Sequence, residues 1–155
     1  MRVMVLDDHK EFCDEVVGML ARNGHEGVGA TSADEAVALV GKGNYDFVLV
    51  DFSMPKHDGL WFLKNARLPR RTKALLVTAH VSPEIINHMF KSGAAGYLIK
   101  PFDEADLMRH LEFHAHREAA AGGAANPAPE AGQAGSRDVS PGTGPDTKQT
   151  AGAMK

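Results

Sequence analysis

One cysteine, Cys13, is all the thiol this 155-residue chain has. That rules out an intramolecular disulfide and a Cys-rich zinc site. An excess of positive charge is also missing: 17 Lys and Arg stand against 20 Asp and Glu, a formal net charge of -3. A domain that holds nucleic acid by bulk positive charge needs the opposite balance, so direct nucleic-acid binding is not expected. No apolar run approaches the roughly 20 residues of a membrane span, so membrane insertion is not expected either. The N-terminus shows no secretory core, because Arg2-Val3-Met4-Val5-Leu6 stops at Asp7-Asp8. A reducing cytoplasm is the expected compartment.

Large apolar residues are scarce in one stretch. From Ala119 to Lys155 only Val139 and Met154 are bigger than Ala among the aliphatic and aromatic types. Such a segment buries too little apolar surface to offset the chain entropy of ordering. The composition therefore predicts a folded domain over residues 1–118 and a disordered Ala/Gly/Pro-rich tail over 119–155.

The folded part alternates between two textures. Val3-Met4-Val5-Leu6, Phe47-Val48-Leu49-Val50 and Ala74-Leu75-Leu76-Val77 are short continuous apolar runs. Strands of a parallel sheet read this way because both faces are covered. Gly96-Tyr97-Leu98-Ile99 is a shorter fourth run, and Glu26-Gly27-Val28-Gly29-Ala30 a weaker fifth, read as an edge strand. Between them lie helical stripes: Phe12/Val16/Met19/Leu20, Ala36/Val37/Val40, Leu60/Leu63, Ile85/Ile86/Met89/Phe90 and Leu107/Met108/Leu111. Start signals agree: Ser32 with Glu35 as a capping box, Pro83 after Ser82, and Asp103 before the last stripe. Five βα units with right-handed crossovers predict an α/β three-layer sandwich around a central parallel five-stranded sheet.

Ligands of an open α/β sheet bind beyond the carboxyl ends of its strands. The polar residues directly after the three continuous runs are Asp7 and Asp8, then Asp51, then Thr78, and Lys100 follows the shorter fourth run. Three carboxylates in one cleft repel one another unless a cation joins them, and oxygen-only donors in an open site suit Mg²⁺. A hydroxyl and an ammonium opposite suit a tetrahedral anion. The residues alone thus describe a Mg²⁺-assisted phosphoryl site with a carboxylate nucleophile.

These residues resemble a known family. Asp7-Asp8, Asp51-Phe52-Ser53-Met54-Pro55 with Gly59 eight positions after the Asp, Thr78-Ala79, and the stretch from Gly93 through Lys100-Pro101-Phe102 look like the receiver domain of two-component response regulators, similar to the stand-alone chemotaxis type. Each motif alone is modest; all of them in order are specific. The resemblance covers residues 1–118. It implies a flavodoxin-like (βα)5 fold with strand order 2-1-3-4-5, and Asp51 as phosphoacceptor from a phosphohistidine on a sensor histidine kinase or a phosphotransfer protein. It further implies Mg²⁺ on Asp7, Asp8, Asp51 and the Ser53 backbone carbonyl, with Asp8 the more direct of the first pair. Thr78 and Lys100 would engage the phosphoryl group, Lys100-Pro101 would be cis, and Tyr97 would turn inward as a switch. His80, like Ser53, sits where phosphate lifetime is tuned. Output would pass to an unknown downstream protein through the helix 4/strand 5/helix 5 face, and the domain would catalyse only its own phosphorylation and dephosphorylation.

Other readings of the same residues carry less. A phosphatase of the haloacid dehalogenase type wants a second Asp two residues after the nucleophile, where this chain has Ser53. A flavin binder wants a Gly- and hydroxyl-rich phosphate loop after the first strand, and Asp7-Asp8-His9 is its electrostatic opposite. A docking module indifferent to phosphate leaves the acidic set without a purpose. The pair His110/His114, four apart on a helix, offers two ligands and no zinc motif. Trp61 falls beside its helix stripe and reads as a rim residue that covers the helix or anchors a partner.

Overall fold

The computed structural model describes residues 1–117, so the tail expected over 119–155 and the boundary before it lie outside the described residues. Five parallel strands alternate with five helices: β1 (Arg2–Leu6), α1 (Lys10–Arg22), β2 (Glu26–Ala30), α2 (Ala33–Lys42), β3 (Phe47–Asp51), α3 (Gly59–Asn65), β4 (Lys73–Thr78), α4 (Pro83–Lys91), β5 (Ala94–Ile99) and α5 (Glu104–Ala115). The sheet order is β2-β1-β3-β4-β5, a flavodoxin-like arrangement.

The three long apolar runs are the three inner strands. Every residue of β3 is buried, as are all but the first of β1 and of β4. Their side chains divide by period 2 between two cores. Met4, Leu6, Val48, Val50 and Leu76 join Phe62 of α3 and Met89 of α4 on one face. Val3, Val5, Leu49, Leu75 and Val77 join Val16 and Leu20 of α1 and Leu107 and Leu111 of α5 on the other. Each such fully buried side chain contributes about 1.5–3 kcal/mol of burial energy. β2 and β5 are the edges. Exposure alternates along β5, which is why its apolar run is short.

The caps agree closely with the sequence, with one shift. Ser32 Oγ accepts the Glu35 N–H at 3.2 Å, but the Glu35 carboxylate reaches back to the Thr31 N–H, one residue before the cap. The reciprocal box forms instead at α5, between Asp103 and Asp106. Ser82 accepts the Ile85 N–H with Pro83 opening α4. Each side-chain cap is worth about 1 kcal/mol.

Trp61 is half-buried on α3 and stacks on His57, with ring centroids 3.7 Å apart. It is the rim residue the stripe predicted. His110 and His114, which the apolar stripe of α5 did not include, are core residues at 7% and 3% exposure. Among the described residues no helix is long and apolar enough to cross a membrane.

Candidate functional site

The order β2-β1-β3 places β1 and β3 side by side at the point where the chain reverses its winding. A crevice opens there beyond the strand ends. Asp7 comes directly after β1 and Asp51 ends β3, so the fold brings together carboxylates 44 positions apart. Thr78 ends β4, and Lys100 comes directly after β5, its N–H donating to the Thr78 carbonyl at 2.9 Å. The Lys100–Pro101 bond is cis, as the resemblance implied.

Asp7 is 1% exposed and heavily bonded. Lys100 Nζ lies 2.5 Å from its Oδ2, and its Oδ1 accepts from the His9 N–H at 2.9 Å and faces His9 Nδ1 at 3.1 Å. Burial pushes its carboxyl up, but the bonds from Lys100 and His9 together with the Lys100 charge outweigh that and hold it below the ordinary carboxylate range. Asp51 is buried and loosely held. Its Oδ1 accepts the Ser53 N–H at a long 3.4 Å, and its Oδ2 is 3.9 Å from Lys100 Nζ. Burial raises its carboxyl above the usual range; Lys100 opposes this, and the charges of Asp7 and Asp8 add to it.

Asp8 supplies the opening for a cation. Its Oδ1 is buried and accepts no hydrogen bond, although the His9 ring nitrogen Nδ1 lies 3.3 Å away. An orphaned buried carboxylate oxygen is costly, and a metal ion beside it removes the cost. Ligating atoms of Asp7, Asp8 and His9 all lie within 4.8 Å of one another. This donor set fits a hard divalent cation in an open site. His9 was not among the residues singled out from the sequence. Its signal was its place directly after the acidic pair at the same strand end. Asp51 stands outside this tight group, and Lys100 is what links it to Asp7.

Thr78 is 3% exposed, and its hydroxyl both donates and accepts. Oγ1 donates to the His80 carbonyl and accepts from the His80 N–H, both at 3.1 Å, clamping the loop that leads to α4. His80 itself is exposed, as is Ser53 beyond Asp51. Tyr97 is half-buried on β5 and tilts against Phe90 of α4, with centroids 6.1 Å apart. Gly59 permits the approach of α3 to the site. A Cβ there would lie 2.5 Å from the Asp51 carbonyl oxygen and 2.9 Å from Val50 Cγ1. Cys13 is no part of the chemistry. Its thiol faces the carbonyls of Val5, Asp7 and Ala30, and burial pushes it up to about 11.

Known proteins are similar to this chain in sequence and fold. The profile of the response regulator receiver domain matches residues 3–112. Chemotaxis protein CheY-3 of Vibrio cholerae is 31% identical over 118 residues, covering 72% of this chain and 89% of the relative. Sensory/regulatory protein RpfC of Xanthomonas campestris pv. campestris is 32% identical over 116 residues, and there the chain spans only 16% of the relative's length. Among solved structures, chemotaxis protein CheY4 of Vibrio cholerae superposes with a TM-score of 0.69 at 30% identity, covering 72% of this chain and 96% of that one. A response regulator of Burkholderia pseudomallei, solved with a phosphorylated aspartic acid and a calcium ion, reaches 0.69 at 27% identity over 74% of this chain and 68% of that one. Sheet order and sequence profile converge: the chain belongs to the response regulator receiver domain family, the phosphorylation-activated switches of two-component signal transduction.

Proposed function

We propose that Asp51 is the phosphoacceptor, taking a phosphoryl group from the phosphohistidine of a sensor histidine kinase or phosphotransfer protein. The observation that carries this is the contrast between the two buried carboxylates. Asp7 is saturated with partners, whereas Asp51 has one long hydrogen bond and a cation at 3.9 Å. In the transfer, an Asp51 carboxylate oxygen forms the bond to phosphorus as the phosphorus–nitrogen bond of the donor breaks. The Burkholderia relative's phosphorylated aspartic acid supports the same chemistry here.

Mg²⁺ is the proposed cofactor, held by Asp8 and Asp7 with Asp51 and the Ser53 carbonyl completing the set; when bound it neutralises charge on the phosphoryl oxygens. Lys100 lies within reach of both Asp7 and Asp51, so a small movement of its ammonium takes it from one to the other or to the phosphoryl group. Thr78 has to release the His80 carbonyl before its hydroxyl can donate to a phosphoryl oxygen. That release loosens the loop ahead of α4, and Tyr97, packed on α4, responds. The output surface is then the face of α4, β5 and α5; Ile99, which ends β5, is 45% exposed, and Val81, in the loop ahead of α4, is 46% exposed. His80 lies at the mouth of the site, where its side chain sets how easily water reaches the acyl phosphate. Slow loss of that phosphate is the domain's own hydrolysis, and its downstream target is a protein surface.

Incubation with acetyl phosphate and Mg²⁺ tests the assignment. A single acid-stable, base-labile phosphoryl adduct on Asp51, absent from Asp51→Asn, is the expected result. An adduct elsewhere, or none, overturns it.

A further inference from the structure

The Lys100 ammonium has a third neighbour besides the two carboxylates. Its Nζ lies 4.1 Å from the centroid of the Phe12 ring. That is well inside the roughly 6 Å range over which an aromatic face attracts a cation, because the ring quadrupole is negative above its plane. Phe12 comes from the first turn of α1 and is itself braced. Phe102, two residues beyond Lys100, meets it edge to face with centroids 5.9 Å apart and planes at 86°. Two elements distant in sequence thus build one aromatic shelf under the lysine. Beside it is a cavity of about 410 Å³ lined by Phe12, Glu15, Met19, Ala79, Pro101 and Phe102, with Lys100 on its wall.

An ammonium has three donors and a flexible four-carbon stem, so one carboxylate does not fix its direction. Without the shelf, the side chain is free to swing toward the adjacent cavity, which Glu15 also lines. With the ring beneath it, the ammonium stays on the short arc between Asp7 and Asp51. We infer that Phe12 is a positioning residue for Lys100: its aromatic face, braced by Phe102, holds the ammonium at the acceptor and thereby sets the rate at which Asp51 is phosphorylated. This inference rests on Lys100 acting in phosphoryl transfer.

The competing account is that Phe12 is only packing, since it borders the core of α1 and α5. Packing and positioning differ in what they require of the side chain. Packing asks for apolar volume, which Leu or Met supplies; positioning asks for an aromatic face, which Tyr keeps. Small phosphodonors separate the roles, because no protein surface has to dock on α1.

The experiment measures Asp51 phosphorylation by acetyl phosphate and by phosphoramidate, with saturating Mg²⁺, for wild type, Phe12→Leu, Phe12→Met and Phe12→Tyr. Urea unfolding of each variant is run alongside. Phe12→Leu and Phe12→Met are expected to react about fivefold more slowly while remaining folded, and Phe12→Tyr to stay within twofold of wild type. The ring-current shift on the Lys100 side-chain protons should persist in Phe12→Tyr and vanish in Phe12→Leu. Equal rates for all four proteins, or equal losses in Leu, Met and Tyr, overturn the inference. If the wild type itself gains no phosphoryl group on Asp51, the proposed function fails instead.

Discussion

The ammonium of Lys100 is bonded to Asp7, 2.5 Å away, and not to Asp51, 3.9 Å away. The site's cation thus neutralises Asp7, one of the proposed metal ligands, and leaves Asp51, the proposed acceptor, only partly compensated. Removing the lysine therefore exposes a buried charge.

Lys100→Met should destabilise the metal-free protein by about 2 kcal/mol. Breaking a fully buried pair costs about 3–5 kcal/mol, and the lysine side chain here keeps 19% exposure, which lowers the figure. Mg²⁺ should restore more stability to the variant than it adds to wild type, because a cation replaces the one removed. Urea melts with EDTA and with Mg²⁺ read both effects. A variant as stable as wild type would show that Asp7 does not depend on Lys100.

Asp51→Asn should act in the opposite direction. The Asp51 carboxyl is raised by burial and, against the pull of Lys100, by Asp7 and Asp8, so its charged form is destabilised by folding. Charges about 5 Å apart interact by roughly 1–3 kcal/mol at effective dielectrics between water and protein surface, and Lys100 offsets part of this. The metal-free Asn variant should be more stable than wild type by about 1 kcal/mol at pH 7, with the difference shrinking as pH falls and the wild-type carboxyl protonates. Its gain from Mg²⁺ should be smaller. A destabilised Asn variant with an undiminished Mg²⁺ gain would remove Asp51 from the acidic site.

Acid sensitivity should come from α5. His114 is buried with its Nε2 unpartnered, and burial, then His110, Lys73 and Arg117, push its pKa down to about 4. Lys73 Nζ donates to the carbonyls of His114 and Arg117, so the end of this helix is already crowded with positive charge. A group whose folded pKa lies below its unfolded value of about 6.5 binds protons better when unfolded. Stability is therefore intact above about pH 6.5 and falls as pH drops toward 4, by up to about 1.4 kcal/mol per unit. Burial lowers His110 in the same direction. His114→Leu should flatten part of that slope and add stability at neutral pH, since no polar atom is left unpaired. Unfolding midpoints between pH 4 and 7 give the comparison; parallel curves would refute it.

Gly59→Ala should disturb both fold and acceptor. The added methyl would meet the Asp51 carbonyl at 2.5 Å, and backbone has to move to admit it. Overpacking of this kind costs about 1–3 kcal/mol. The acceptor should react more slowly with acetyl phosphate as it shifts. Full reactivity at unchanged stability would mean that α3 has room to yield.

Much of this molecule is determined by the sequence alone. Three continuous apolar runs mark the inner strands because a strand covered on both faces is apolar along most of its length, and the polar residue that follows each run, like Lys100 after the shorter run of β5, lands on the rim. Asp7, Asp8, Asp51, Thr78 and Lys100 were therefore legible as a group. β2 was faint because Gly27 and Gly29 break its pattern. A Cβ at Gly27 would lie 3.1 Å from Val17 Cα, so α1 lies close against that strand. Tertiary structure alone decided which charges pair. Lys100 choosing Asp7, His9 joining the acidic pair, Thr78 clamping His80 and Phe12 supporting the lysine are all contacts set by ångström distances between side chains or loops. So is the burial of His110 and His114, whose polar type argues for solvent until packing against the sheet overrides it. Periodicity records which face of an element is covered; it holds no record of which partner a charged or aromatic side chain meets there.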